Sequence, residues 1–215
     1  MVGVNGGFFD EHERPLGLRI TRKHLASPPR KADWGIFYTT SEGPFLEHTQ
    51  AASLERLQRS DFAIQAGPRI ITGGRVLKLK PGAHRRTVIG FDGERRVVVL
   101  ATEANIDLNV LAANLVAPGA SGGLGLVEAL ALDGGPSTGF VARMPKTPEA
   151  TKPQGARGES AGPDPTASDP KWRIHMLAPV TDAVFVVPKG THLWFDDDPS
   201  FTRLSQGLHG FSDVP

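Results

Sequence analysis

The chain has 215 residues, enough for one large domain, and 39% of them are apolar, enough for a real core. Its 24 basic and 23 acidic residues leave a net charge of +1, which excludes the concentrated positive field of a general nucleic-acid or acidic-membrane binder. The absence of cysteine excludes disulfide scaffolds, zinc ribbons and thiol catalysis, and no apolar run approaches the ~18 residues of a membrane span.

Apolar patterning and turn dipeptides predict strands over residues 2–4, 18–21 and 34–39. Residues 53–59 read as a short helix, with Thr49 as its cap. Strands over 63–65 and 69–72 are broken by Gly67-Pro68, and Gly73-Gly74 turns the chain into a strand over 76–79. Residues 86–91 and 97–102 form a second hairpin across Asp92-Gly93. Residues 108–116 make an amphipathic helix, capped by Asp107 and ended by Pro118-Gly119. A short buried strand over 130–132 runs into Asp133, and Phe140-Val141 has strand character. Residues 145–171 are rich in Pro, Gly, Ala, Ser and Thr with hardly any large apolar residue, which predicts a flexible insertion. Strands over 174–177 and 183–187 close the fold, and a tail over 191–215 carries Trp194, Phe195, Phe201, Leu204 and Phe211 with which to dock on the body. Strands outnumber helices and pair locally. The expected class is therefore α+β, a mainly antiparallel or mixed twisted sheet with few helices packed on it, as a single domain over 1–190.

Chemistry is concentrated at glycine turns. The run Ala129 to Leu132 delivers the carboxylate of Asp133 to the end of a buried strand. Gly134 and Gly135 then let the backbone turn sharply against a ligand, and Ser137 and Thr138 add hydroxyls. The bland alternative is an ordinary Asp-Gly hairpin turn. Asn5-Gly6-Gly7-Phe8-Phe9-Asp10 has the same grammar, with Asp10 as a second acid; its alternative is a turn followed by two core phenylalanines. Gln65-Ala66-Gly67-Pro68 and Arg85-Arg86-Thr87 are the third and fourth constellations. A strand-borne guanidinium binds phosphate or carboxylate bidentately, although an exposed edge arginine is the commoner case.

Ser121 and Ser137 both stand in G-x-S-x-G, and Ser121, Asp133 and His175 follow the chain order of an α/β-hydrolase triad. A nucleophile elbow needs a strand before the serine and a helix after it, and neither serine has both. The seven histidines are scattered without a paired motif, Asp196-Asp197-Asp198 reads as a solvated run, and there is no phosphate-binding Walker loop, so no metal site or cofactor is read from the sequence.

Taken in order, the four glycine-bearing segments resemble the phosphodiester glycosidase family. Its pattern is an N-G-G-F-F block, a G-P block, an R-T-x-x-G block and an L-D-G-G-x-S block. These stand here at Asn5 to Phe9, Gly67-Pro68, Arg86 to Gly90 and Leu132 to Ser137, and Pro15 to Leu18 is similar to bacterial members. The likeness spans residues 1–142, with a looser match over 173–187. This chain departs from the family in three places: Pro136 stands where a third glycine is usual, the setting of Arg173 differs, and the 145–171 insertion has no counterpart. The opening Met1 to Gly7 reads like the interior of a domain, so the family's N-terminal strands, and an export signal, are expected upstream of it.

The resemblance implies hydrolysis of a sugar-1-phosphodiester, or of such a linkage in a polysaccharide, to free sugar and phosphomonoester, in the periplasm or outside the cell. The charge balance and the lack of a long apolar run leave no nucleic-acid partner and no membrane insertion expected, and no cofactor is expected, with metal assistance left open. Asp133 would act at the anomeric carbon, with Asp10, or failing it Glu103, assisting water, and Arg86 neutralising the phosphate. Asn5, Gly6, Gly7, Gln65, Gly67, Thr87, Gly134, Gly135 and Ser137 would hold sugar hydroxyls or phosphate oxygens. A noncatalytic envelope or polysaccharide-binding module with the same pocket is the competing expectation.

Overall fold

The structure, a computed structural model, describes residues 2–142, 172–174 and 183–186. The predicted insertion over 145–171, the tail over 191–215 and His175 lie outside the described residues. In chain order the strands are β1 (Val2–Asn5), β2 (Arg19–Thr21), β3 (His24–Ser27), β4 (Gly35–Thr40) and β5 (Gly43–His48), followed by helix α1 (Leu54–Gln58). Next come β6 (Phe62–Ala66), β7 (Arg69–Thr72), β8 (Arg75–Val76), β9 (Ala83–His84), β10 (Thr87–Asp92), β11 (Val97–Ala101) and β12 (Ile106–Asp107). Helix α2 (Leu108–Val116), β13 (Leu126–Ala131), β14 (Phe140–Ala142), β15 (Trp172–Ile174) and β16 (Ala183–Val186) complete the order.

Two five-stranded sheets face each other. One has the order β3-β2-β6-β4-β5 and the other β11-β10-β13-β7-β8; a four-stranded sheet, β15-β14-β1-β16, adjoins them, and β9 pairs with β12. Among the described residues every pairing is antiparallel, so the expectation of a mixed sheet resolves to its antiparallel form. Period-two alternation sends Phe37, Leu46, Ile64, Ala66, Ile89, Phe91, Leu130 and Leu132 into the central core between the two large sheets, where Val4 of β1 joins them. The opposite face of the second sheet gives Ile70, Ile71, Val88, Ala129 and Ala131 to α2, which buries Leu108, Leu111, Ala112 and Leu115 against them. The outer face of the first sheet packs Ile20, Ile36, Tyr38 and Ala63 with Leu57 of α1.

Helix α2 has its expected bounds, and Asp107 caps it by accepting from the Asn109 amide at 2.8 Å. The cap of α1 is corrected: Ser53 accepts from the Arg56 amide, while Thr49 donates its hydroxyl to the Trp34 carbonyl at 3.0 Å. The strand expected over 76–79 ends at Val76, and the strand before Asp133 is longer than expected. Strands β3 and β5 were not expected. Arg22 and Lys23 join β2 to β3 with φ of 50° and 65°, a hairpin turn of primed type made without glycine or asparagine.

Candidate active site

The end of β13 is tied to two other strands before it releases Asp133. The Leu132 amide donates to the Thr87 carbonyl at 2.8 Å, the Asp133 amide to the Gly6 carbonyl at 3.1 Å, and the Gly135 amide to the Arg85 carbonyl at 2.8 Å. The turn is thus a junction of the end of β1, the start of β10 and the end of β13. Gly134 is needed for close approach, since a Cβ there would stand 2.9 Å from the Arg85 carbonyl oxygen. Gly135 is needed for its φ of +59°.

Asn5, 1% exposed, holds the junction together. Its Nδ2 donates to the carbonyls of Asp133 at 2.7 Å and Gly6 at 3.3 Å. Its Oδ1 accepts from the Thr87 hydroxyl at 2.6 Å and the Gly139 amide at 3.1 Å. An amide side chain has two donor hydrogens and two acceptor lone pairs, so all of Asn5 is used within the protein. Gln65 is saturated in the same way. Its Oε1 accepts from the amides of Leu18 and Arg30, both at 2.9 Å, and its Nε2 donates to the Arg30 carbonyl at 2.7 Å and the Thr49 hydroxyl at 3.0 Å. Both were expected to hold substrate; the structure gives them to the scaffold, and Thr87 braces Asn5.

The Asp133 carboxylate is half-buried. Its Oδ1 accepts from the Gly134 amide at 2.9 Å, and the buried Ser137 hydroxyl bonds to the same carboxylate. Burial pushes its pKa above the ordinary value, against the lowering effect of the Ser137 and Gly134 hydrogen bonds. Asp10 is different. It sits in the loop closed by the Phe9–Pro15 bridge, where Oδ1 accepts from the amides of His12 and Arg14 and Oδ2 pairs with the Arg14 guanidinium, each at 2.9 Å. The Arg14 amide bond leads the causes that hold Asp10 below its ordinary value. Both oxygens are engaged within its own turn, so the expectation of a water-assisting acid there finds a structural carboxylate. Glu103 is exposed in the bend after β11.

The two arginines of the third block part company. Arg86 donates to the carbonyls of Ile106, at 3.1 Å, and Gly82. This is the α2 side of β10, shared with Val88, because side chains two apart on a strand face one way. Burial lowers its pKa, with Asp107 acting in the opposite sense. Arg85 takes the other side, and its Nη2 donates to the Thr138 carbonyl at 2.9 Å, at the exit of the Asp133 turn. Of the two arginines, Arg85 is therefore the one that reaches the Asp133 turn, and Arg86, expected to neutralise phosphate, is engaged on the α2 side.

The remaining glycines serve packing. A Cβ on Gly7 would stand 3.1 Å from the Gln65 carbonyl and 3.4 Å from the Arg19 guanidinium; one on Gly67 would stand 2.5 Å from the Trp34 ring, which Phe8 contacts at 4.9 Å between centroids. Buried Arg19 and half-buried Trp34 had no motif to announce them. Ser121 lies exposed in a 3-10 turn after α2, with no strand before it, so the nucleophile elbow is not built. Among the described residues no group of three or more His, Asp or Glu could hold a metal ion.

A family model described as phosphodiester glycosidase matches residues 1–169. The chain belongs to the phosphodiester glycosidase family. Its fold is similar to the zebrafish N-acetylglucosamine-1-phosphodiester alpha-N-acetylglucosaminidase catalytic domain, auto-inhibited by its pro-peptide. That likeness has 18% identity and a TM-score of 0.54 and covers 65% of this chain and 52% of that one. A protein from Synechocystis aligns at 15% identity and a TM-score of 0.47, with 65% and 46% covered. The chain spans about half the length of the solved structures it matches. A comparison with curated proteins found no match. At such identity the structural likeness speaks for the fold alone.

Two features of the family pattern acquire reasons here. The closing glycine of the third block, Gly90, lies where a Cβ would be 2.3 Å from the Glu128 carbonyl oxygen, so it permits β10 and β13 to pair. Pro136 replaces the usual third glycine of the last block without conflict. The left-handed residue is Gly135, and position 136 lies in a 3-10 turn, whose φ suits proline.

Proposed function

We infer that this member of the phosphodiester glycosidase family hydrolyses a sugar-1-phosphodiester, releasing free sugar and a phosphomonoester. The observation that carries this reading is the Asp133 carboxylate, half-buried, hydrogen-bonded and raised in pKa where three strands meet. Water supplies the new bond to the anomeric carbon, the bond from that carbon to the phosphate oxygen breaks, and the phosphomonoester leaves as a stable anion that needs little general-acid help. Asp133 in its ionised form acts at the anomeric carbon, as nucleophile or as the base that takes the water proton, and its raised pKa makes it the stronger base. Arg85 at the Thr138 carbonyl is placed to offset charge developing on the departing phosphate. Asn5 and Thr87 hold the turn in position, and we assign no second carboxylate. An envelope polysaccharide substrate and a periplasmic or extracellular location belong to the same reading, supported by the family resemblance.

The test is release of free sugar from a panel of sugar-1-phosphodiesters that includes UDP-GlcNAc. Asp133→Asn should lose about 100-fold or more of kcat, the range for a positioned acid–base group. Turnover that persists in Asp133→Asn would remove Asp133 from the chemistry. Glycan binding with no turnover on the panel would establish a binding module instead.

A further inference from the structure

Between Asp61 and Asp92 the chain carries six Lys and Arg residues and no acid. This stretch contains the strap that joins β8 to β10 and ends on the Asp133 turn. The strap is anchored at short intervals. The Leu77 amide donates to the Ile70 carbonyl at 3.0 Å, Leu79 packs against the α2 core, the Gly82 amide donates to Asp107 at 2.6 Å, and Ala83–His84 pairs with β12. At its far end the Arg85 carbonyl accepts from Gly135 and its guanidinium from there reaches Thr138.

With Leu77 and Leu79 drawn toward the body, Lys78 and Lys80 are left exposed between and beyond them, and His84 is exposed nearer the turn. No ion pair involves Lys78 or Lys80 among the described residues. Fully extended, the seven steps from Lys78 to Arg85 reach at most about 25 Å, more than one sugar phosphate occupies. The protein as a whole is almost neutral, and the one carboxylate hydrogen-bonded to the strap among the described residues, Asp107, is engaged by the Gly82 and Asn109 amides, so Lys78 and Lys80 are a local concentration of positive charge on a segment that leads to the Asp133 turn.

We propose that Lys78, Lys80 and His84 form a basic rail that receives the phosphate-bearing chain on the leaving-group side of the scissile bond. The substrate class is then a polymer with phosphates repeated along it, rather than a lone small diester. This rests on the reading of Asp133 as the reacting carboxylate. Nucleic acid fits less well, because residues 75–86 contain no Phe, Tyr or Trp and only His84 as a ring on which a base could stack.

Binding of long-chain inorganic polyphosphate is measured by fluorescence competition at several salt concentrations, with inorganic phosphate as the single-anion control. In parallel, kcat/KM is measured for whichever small diester is turned over. Lys78→Gln/Lys80→Gln should weaken polyphosphate binding about tenfold and flatten the log affinity against log salt slope by about 1–2, since two fewer anionic contacts release counterions. The same variant should leave inorganic phosphate binding and small-diester kcat/KM unchanged. Both lysines are exposed, so folding is not at issue, and the charge reversal Lys78→Glu/Lys80→Glu should weaken binding further. Polyphosphate affinity and salt slope unchanged in both variants would overturn the rail. Equal lysine-dependent binding of single-stranded oligothymidylate would overturn the choice of ligand in favour of nucleic acid. Asp133→Asn should bind polyphosphate as the native protein does. If no diester is hydrolysed yet lysine-dependent binding persists, the rail stands only as a polyphosphate-binding surface, and the hydrolytic reading falls together with the leaving-group role.

Discussion

Removing the side chain of Asn5 tests whether the site is held by a single buried amide. Asn5→Ala leaves three groups without their partner: the Thr87 hydroxyl, the Gly139 amide and the Asp133 carbonyl. The Gly6 carbonyl keeps the Asp133 amide. At about 1–3 kcal/mol for each buried group left unsatisfied, less whatever entering water recovers, the expected loss is about 3–5 kcal/mol. That is a large share of the 5–15 kcal/mol typical of a folded domain, roughly. Urea unfolding measures it, and hydrogen exchange at the Gly139 amide reports the particular bond. Thr87→Val removes one of the orphaned donors in advance, so the double variant should cost less than the sum of the two singles. A loss below about 1 kcal/mol, with Gly139 protection and additivity intact, would refute the reasoning, since it lies within the range of ordinary surface substitutions.

Arg85→Gln should lower kcat/KM for a sugar-1-phosphodiester, and the loss of its bond to the Thr138 carbonyl should lower the urea midpoint as well. Arg86→Gln should lower the urea midpoint with little change in kcat/KM, because its guanidinium serves the Gly82 and Ile106 carbonyls. Gly90→Ala should cost about 1–3 kcal/mol or more in urea unfolding, as for other overpacked sites, because its Cβ would meet backbone that cannot move aside. Gly93→Ala, with nothing within 4 Å, should be close to neutral in the same assay. Asp133 has a raised folded pKa, so the folded state binds more protons than the unfolded one, and stability falls as pH rises from 3.8 through that raised value. In paired unfolding curves, the stability of Asp133→Asn relative to native should therefore rise over that window. Asp107 is opposite in sign: its pKa is lowered from 3.8 to about 2, led by the Gly82 amide bond, so its contribution is full above 3.8 and lost as pH falls through about 2. The stability difference between native protein and Asp107→Asn should fade across that window.

What could be read from the sequence was whatever local chemistry decides. Asp107 before an amphipathic run announced α2, Asp92-Gly93 announced the β10–β11 hairpin, and four apolar residues announced a buried strand ending at Asp133. Strand β3 escaped because Arg22 and Lys23 adopt positive φ that nothing in their side chains advertises. Strand β5 escaped because it opens on Gly43-Pro44, a pair that reads as a turn. The convergence of the glycine blocks was legible in their order, but the work done by each polar side chain was not. Asn5 and Gln65 are the right residue types to hold a sugar, and only partners up to 134 positions away show that they are already saturated. The choice between Arg85 and Arg86 turns on which face of β10 looks toward the Asp133 turn. Both faces are apolar, with Val88 on one and Ile89 on the other, so the alternation alone does not say.

The placement of β1 between β14 and β16 bears on the order of folding. Its two neighbours follow it by more than a hundred residues, so closing that sheet carries a loop entropy that local hairpins such as β4–β5 and β10–β11 do not meet. The hairpins can form early, and the sheet around β1 closes late. Asn5, at the end of β1, reaches Gly139 only after that closure. The carboxylate of Asp133 therefore gains its fixed setting at the end of folding. During synthesis that setting is incomplete until residues near 140 have emerged and docked.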